Sequence, residues 1–234
     1  MQASDRLVIA VDLSARDEIL QLVDELHGIA GVFKIGLQAF VANGPAIVRE
    51  VVARGEKVFL DLKIHDIPNT AGRAVAEAAA LGASMITVHA AGGEAMLRAT
   101  AAAAPAGALI LGVTILTSLD DADLPPIGFA GSLVECAPRL AQLSKAAGLR
   151  GVVSSPREIE AIRATMGDEF VILTPGIRPA GSESGDQRRT LSPAEAVAAG
   201  ADYIVVGRPI TAARDRRAAA MKIVEEMQAM SCRA

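Results

Sequence analysis

The feature that most limits the fold of this chain is an alternation, repeated eight times, of short apolar runs with segments of helical period. The apolar runs fall at residues 7–12, 32–36, 57–63, 85–89, 108–115, 151–154, 170–174 and 203–207. The helical segments fall at residues 15–27, 45–54, 70–81, 94–103, 133–146, 156–166, 193–199 and 211–227. Strands that alternate with helices over short connections predict parallel βα units. Eight such units predict a (β/α)8 TIM barrel of the α/β class.

We expect one domain over residues 1–234, because the sequence contains no linker and no break in composition. A length of 234 residues is normal for a single barrel of this kind. The rival architecture is a doubly wound open sheet, which usually carries a glycine-rich phosphate-binding turn after its first strand. Here the first predicted strand ends at Asp12 and is followed by Leu13-Ser14, without a GxGxxG motif, so the barrel is favoured.

Polar side chains occur at the carboxyl end of nearly every predicted strand, which is the end where barrel enzymes build their active sites. The residues concerned are Asp12, Lys34, Asp61, Lys63, Asp66, His89, Thr114, Thr117, Ser118, Ser154, Ser155, Arg178 and Arg208. Some of them also have ordinary structural interpretations. Asp12 could simply pair with Lys34 on the next strand, and Thr117 and Ser118 could be turn residues. A histidine at such a position is more often a hydrogen-bonded residue of the rim than a base, so we expect the structural role for His89.

The densest cluster of charge lies at residues 61–70, whose sequence is DLKIHDIPNT. Because side chains alternate along a strand, Asp61 and Lys63 should share a face. Asp66 follows on a loop that Pro68 stiffens. Unpaired charge is too costly to bury, so the cluster is either a structural ion pair or a site that needs a charged lysine. Its position at the end of a strand favours the site.

A second cluster follows the last predicted strand, where Gly207-Arg208-Pro209 opens a helix. Glycine lets a ligand approach the backbone, helix amides attract anions, and arginine offers a fork of donors. Barrels often bind phosphate after strands seven and eight. The nearby loop 181–189, which contains Gln187, could close over a phosphate as a lid, or could be an ordinary surface loop.

Composition and charge exclude several classes of function. The net charge of −4 and the lack of a basic tract disfavour nucleic-acid binding. No His–carboxylate set has metal-ligand spacing, so we expect no metal. Cys136 and Cys232 stand alone, as is typical of a reducing cytoplasm. The first apolar run is too short for a signal peptide and no apolar stretch would span a membrane, so we expect a cytoplasmic location.

The stretch at residues 61–70 resembles the signature of the orotidine 5′-phosphate decarboxylases in their bacterial form. Further matches follow in the family's order at residues 10–12, 33–36, 116–118, 174–179, 185–189 and 206–209. A DxKxxD pattern alone is shared by related barrel enzymes. The longer form that continues into Ile67-Pro68-Asn69-Thr70, together with the lid and the Gly-Arg-Pro motif, is much more specific.

The resemblance implies a homodimer that converts orotidine 5′-monophosphate to UMP and CO₂, in de novo pyrimidine biosynthesis, without a cofactor. It implies that Lys63 protonates C6 of the pyrimidine, that Asp61 lies near the departing carboxylate, and that Asp66 and Thr70 reach into the partner's site. The remaining implied contacts are ribose for Asp12 and Lys34, the pyrimidine for Thr117 and Ser118, and phosphate for Gln187, Arg208 and the Gly207 amide, with Arg178 beside them.

These roles agree with the chemistry of the reaction. Loss of CO₂ leaves an electron pair on a ring carbon, and a fixed ammonium stabilises that charge and then supplies a proton. Three alternatives remain open: a Mg²⁺-dependent lyase that stabilises an enediolate, a Schiff-base aldolase that uses Lys63, and a non-catalytic barrel that binds phosphorylated metabolites. The two acids near Lys63 favour its protonated form and oppose the aldolase, which needs a neutral amine.

Overall fold

Eight parallel strands form a closed barrel in a computed structural model that describes residues 2–179 and 190–231. The strands are β1 Leu7–Val11, β2 Val32–Gly36, β3 Val58–Ile64, β4 Ala83–His89, β5 Leu109–Val113, β6 Gly151–Val153, β7 Val171–Thr174 and β8 Tyr203–Val206. They are neighbours in sequence order, and β1 pairs with β8 through Leu7 and Ile204 to close the barrel. The predicted (β/α)8 TIM barrel is therefore confirmed.

Helices surround the barrel, and most of them connect successive strands. They are α1 Ala3–Arg6, α2 Arg16–Leu26, α3 Leu37–Asn43, α4 Pro45–Ala53, α5 Pro68–Ala80, α6 Gly93–Ala103, α7 Leu133–Ala146, α8 Ile159–Met166, α9 Pro193–Ala198, α10 Arg208–Thr211 and α11 Arg216–Ser231. Short 3₁₀ turns lie at Ala90–Gly92, Asp121–Asp123, Pro125–Ile127 and Pro156–Glu158. Within the described ranges, none of these helices combines the length and apolar character needed to cross a bilayer.

The structure differs from the predicted helices in two main places. Helix α3 was not predicted, and it is separated from α4 by Gly44, whose φ of 65° breaks the helical path. The single helix predicted at residues 211–227 is replaced by α10 and α11, with a short break between them.

Two hydrophobic layers follow from the two faces of each strand. In β1, Val8 and Ala10 belong to the cluster that fills the barrel, whereas Ile9 and Val11 belong to the larger cluster between strands and helices. All of β1 is buried, as expected for a strand covered on both faces. Because the side chains inside the barrel are packed, the carboxyl ends of the strands form the floor of an open site above them.

Candidate active site

A cavity of about 310 Å³ opens at the carboxyl end of the barrel. Eight of the twelve residues predicted to bind substrate line it, namely Asp12, Lys34, Asp61, Lys63, Thr117, Arg178, Gly207 and Arg208. They come from segments that are far apart in the sequence and are brought together because parallel strands end on the same face. The cavity therefore gathers both predicted clusters, the charges after β3 and the Gly-Arg-Pro motif after β8.

The floor of the cavity is apolar and was not predicted from the sequence. It is formed by Ala10, Phe59, Val153, Leu173 and Val205, which belong to the packed interior of the barrel. A signal was available, because Ala10 and Phe59 precede Asp12 and Asp61 by two positions and therefore share their face of the strand. A ligand bound above this floor meets polar groups at its edges and dry surface beneath it.

Four charged side chains form a continuous chain along one wall. Lys34 Nζ lies 3.1 Å from Asp12 Oδ1 and 3.7 Å from Asp61 Oδ2. Lys63 Nζ lies 2.9 Å from the same Asp61 oxygen. The side chains of Lys34 and Asp61 are each only 12% exposed, and that of Lys63 is 30% exposed. The pairing of Asp12 with Lys34 considered from the sequence is thus present, but as part of a four-residue network rather than as an isolated pair.

Gly36 leaves the room that this network occupies. A Cβ placed on Gly36 would lie 2.9 Å from Lys34 Nζ and 3.2 Å from Asp12 Oδ1. Because the first of these distances is too short, a side chain at position 36 would displace the Lys34 ammonium. Gly36 is also the partner of Asp61 in the β2–β3 ladder, so it lies beside the second carboxylate of the network.

The backbone of β3 is irregular at the charged stretch. The ladder with β4 runs from Leu60–Ile86 directly to Ile64–Val88, so β3 bulges between these pairs. Lys63 has a φ of 53° and is the only non-glycine residue with a positive φ in the described ranges. Such a conformation costs about 1–3 kcal/mol and persists only where the surroundings enforce it. Asp61 and Lys63 were predicted to share a face, and they are in contact, although the strand between them does not keep the regular alternation on which that prediction was based.

Three predicted site residues do not line this chain's own cavity. Asp66 and Thr70 are exposed, and the carboxylate of Asp66 accepts the Ile67 amide at 2.6 Å. Ser118 is exposed on the loop after β5, next to Thr117, which does line the cavity. Gln187 and the whole predicted lid, residues 181–189, lie outside the described residues.

His89 lies at the end of β4, outside the cavity lining, in a neighbouring groove that it shares with His65. The two rings are 5.4 Å apart. Burial lowers the pKa of His89, its neighbours His65 and Lys63 lower that pKa further, and Asp61 opposes them. The imidazole is therefore neutral at pH 7. Its place outside the cavity lining, rather than its protonation state, separates His89 from the proposed site.

The cavity is lined by two carboxylates, Asp12 and Asp61, together with lysine and arginine side chains. In the part of the chain that the structure describes, no group of three or more His, Cys, Asp or Glu side chains is placed to hold a metal ion. The carboxylate best placed in the cavity, Asp61, already accepts hydrogen bonds from Lys63 and from Thr87.

Comparisons with known proteins agree with this arrangement. The model of the family described as "Orotidine 5'-phosphate decarboxylase / HUMPS family" matches residues 5–223. The orotidine 5′-phosphate decarboxylase of Moorella thermoacetica is 52% identical over 237 residues, which cover 97% of this chain and 94% of that protein. The enzyme of the same name from Heliobacterium modesticaldum is 48% identical over 236 residues, with 97% of each chain covered.

Solved structures give the same result. The crystal structure of orotidine 5′-phosphate decarboxylase from Lactobacillus acidophilus matches with a TM-score of 0.83 at 34% identity, covering 94% of this chain and 98% of that chain. An uncharacterized conserved protein from Geobacillus kaustophilus matches with a TM-score of 0.81 at 33% identity, covering 94% and 99%. The resemblance found at residues 61–70 is confirmed, and the chain belongs to the orotidine 5′-phosphate decarboxylase / HUMPS family.

Proposed function

We propose that this protein removes CO₂ from orotidine 5′-monophosphate to give UMP in de novo pyrimidine biosynthesis, using a protonated lysine and no cofactor. Family membership and the names of its relatives support the decarboxylase reaction. The observation that carries the mechanism is the Lys63 ammonium, held 2.9 Å from Asp61 above an apolar floor, in the cavity that also contains Arg208.

Lys63 is proposed to act in two consecutive steps. When the bond between C6 and the carboxylate breaks, CO₂ leaves and the electron pair stays on C6, which has no conjugated cofactor to receive it. The adjacent ammonium stabilises this charge, and the dry floor strengthens the interaction. An N–H bond of Lys63 then breaks as C6–H forms, and the neutral amine regains a proton from solvent.

Asp61 is proposed to face the substrate carboxylate. The Asp61 carboxylate and the substrate carboxylate, both anionic, repel each other while the substrate is bound, and the repulsion ends when CO₂ leaves. The contacts that Asp61 makes with Lys34 and Lys63 keep its carboxylate in place before the substrate arrives. A network that is already ordered spends no free energy on reorganisation during the reaction.

The remaining lining residues are proposed to bind the parts of the nucleotide that do not react. Asp12 and Lys34 contact the ribose, and Thr117 with Ser118 contacts the pyrimidine. Arg208, the Gly207 amide and Gln187 hold the phosphate, with Arg178 beside them. The presence of Arg178, Gly207 and Arg208 in one cavity with Lys63 supports this arrangement. Phosphate binding far from C6 can position the ring for reaction.

Arg208→Ala should raise KM and lower kcat/KM by roughly 10²-fold, because charge-assisted hydrogen bonds to the phosphate are lost. Steady-state rates measured over a range of substrate concentrations test this. Arg98→Ala is the matched control, since Arg98 is an exposed arginine of α6 paired with Glu94, and it should leave both constants unchanged. An unchanged KM in Arg208→Ala would remove Arg208 from the phosphate site.

The reaction itself is tested by incubating purified protein with orotidine 5′-monophosphate and EDTA while the loss of pyrimidine absorbance is followed. Turnover should be unaffected by the chelator, because the Lys63 ammonium occupies the position where a metal would stabilise the developing charge. Loss of turnover on chelation, restored by Mg²⁺, would instead support the metal-dependent lyase.

We propose in addition that the protein is a homodimer in which Asp66 and Thr70 complete the partner's site. Two observations support this. Both residues are exposed and lie outside their own cavity lining. Ile67, between them in sequence, is 67% exposed, and Val41 of α3 is 79% exposed, which is unfavourable for large apolar side chains in water. A second copy that covers these side chains would bury them and receive Asp66.

We also propose that residues 1–234 act as one domain in the cytoplasm. The family match over residues 5–223 supports a single unit. The free thiol of Cys136, which is buried, is compatible with a reducing compartment.

A further inference from the structure

Thr87 is a fully buried residue of β4 that contacts both central residues of the proposed mechanism. Its hydroxyl donates a hydrogen bond to Asp61 Oδ1 at 3.0 Å. The hydroxyl oxygen of Thr87 also accepts a hydrogen bond from the backbone N–H of Lys63 at 2.9 Å. Thr87 does not line the cavity, so it has no route to direct contact with a ligand there.

We propose that Thr87 is a positioning residue for decarboxylation, whose hydroxyl holds the Asp61 carboxylate and the Lys63 backbone in their reactive arrangement. The proposal rests on the roles proposed for Lys63 and Asp61. It assigns to β4 a part in the reaction that the charged residues of β2 and β3 do not supply.

The bulge of β3 explains why a hydroxyl is needed. Between the pairs Leu60–Ile86 and Ile64–Val88 the β3–β4 ladder is interrupted, and the N–H of Lys63 falls in this interval. A hydroxyl is able to accept that N–H and donate to a carboxylate at the same time. The side chain of Thr87 thereby provides the acceptor for Lys63 and orients Asp61 with its proton.

The conformation of Lys63 explains why the contact should affect the rate. A non-glycine residue in the left-handed region stays there only when its neighbours hold it. Without the hydroxyl, the Lys63 amide is unsatisfied and the bulge is free to relax toward a regular strand. The ammonium then shifts relative to C6, and a displacement of about 1 Å at a reacting group costs roughly 10²-fold in rate.

The test compares hydroxyl deletion with hydroxyl retention at one position. Thr87→Val keeps the branched shape and removes the hydroxyl, and its kcat should fall by roughly 10²-fold while KM changes by less than about threefold. Thr87→Ser keeps the hydroxyl and should retain most of kcat, although it loses a buried methyl. A second pair, Thr87→Ala against Thr87→Ser, differs only in the hydroxyl and applies if the valine variant fails to fold.

Thr100 provides the matched control for loss of a buried threonine hydroxyl. It is also fully buried, and its hydroxyl donates to the Leu97 carbonyl at 2.8 Å within α6, a helix that contributes no residue to the cavity lining. Thr100→Val should lower the thermal midpoint without lowering kcat. All variants are assayed well below their measured thermal midpoints, and binding of UMP is measured by calorimetry, where Thr87→Val should match the parent protein.

The results discriminate between positioning and simple packing. The proposal is supported if kcat falls in Thr87→Val and Thr87→Ala but not in Thr87→Ser or Thr100→Val. Equal kcat values in Thr87→Ala and Thr87→Ser, or wild-type kcat in Thr87→Val, overturn it. A parallel fall in Thr100→Val overturns it too, because general destabilisation would then account for the effect. Inactivity of Lys63→Ala, measured alongside, shows in each of these cases that the proposed function itself stands.

Discussion

Lys63→Ala should abolish decarboxylation while the barrel stays folded. In the proposed mechanism, the substitution removes both the charge that stabilises the C6 carbanion and the proton that completes the product. Proton transfer by a positioned group contributes roughly 10²–10⁴-fold, and one preorganised electrostatic contact roughly 10²–10³-fold. Since one side chain supplies both effects, we expect kcat to fall by at least about 10⁴-fold.

The fold should tolerate this change for reasons visible in the structure. Alanine, like lysine, is a non-glycine residue, so the cost of the φ of 53° at position 63 is about the same for both. Asp61 loses one cation but keeps Lys34 at 3.7 Å and the hydroxyl of Thr87 at 3.0 Å. It is therefore not left as an unpaired buried charge.

UMP formation over hours, together with circular dichroism and a thermal midpoint, checks the Lys63 prediction. Lys222→Ala is the control, because Lys222 is an exposed lysine of α11 outside the cavity lining, and its activity should be unchanged. If a folded Lys63→Ala protein keeps most of its activity, Lys63 is not the proton donor and the mechanism has to be sought in another side chain.

The fold was largely predictable because the signal is repeated along the chain. Each apolar run and each helical segment indicates the same architecture, so the prediction does not depend on any one of them. The predicted bounds of β2 and α7 agree with the structure residue for residue. The errors of the prediction concern single short elements rather than the architecture. Helix α3 has only seven residues and starts directly after β2, without a side-chain cap at Gly36, so neither period nor capping marks it.

The site was predictable to the extent that residue type carries the chemistry. Charged residues at strand ends placed Asp12, Lys34, Asp61 and Lys63 at one rim of the predicted barrel, since parallel strands end together. The part of Thr87 was not predictable, because threonine is an ordinary residue in a strand and its two partners lie 24 and 26 positions away. The positive φ of Lys63 could not be predicted from the sequence either, since nothing in a lysine side chain indicates a bulge.

Two inactive subunits should form an active enzyme when they are combined in one dimer. In the proposed dimer, the Asp66→Ala and Lys63→Ala homodimers each carry a lesion in both of their sites. In a dimer with one subunit of each kind, one site carries both lesions, and the other combines an intact Lys63 with the partner subunit's intact Asp66. Heterodimers isolated through two different affinity tags should therefore show about half the wild-type activity per dimer.

The control for this experiment comes from the geometry of the cavity. Asp61 and Lys63 lie 2.9 Å apart within one chain, so both belong to the same subunit's half of a site. A heterodimer of Asp61→Ala with Lys63→Ala has a lesion in each site and should stay inactive. Recovery in the first heterodimer but not in the second would assign Asp66 to the partner's site, because only a residue that crosses the interface separates from Lys63 on mixing. If neither heterodimer recovers, Asp66 acts, if at all, within its own chain, and the exposed Ile67 and Val41 need another explanation.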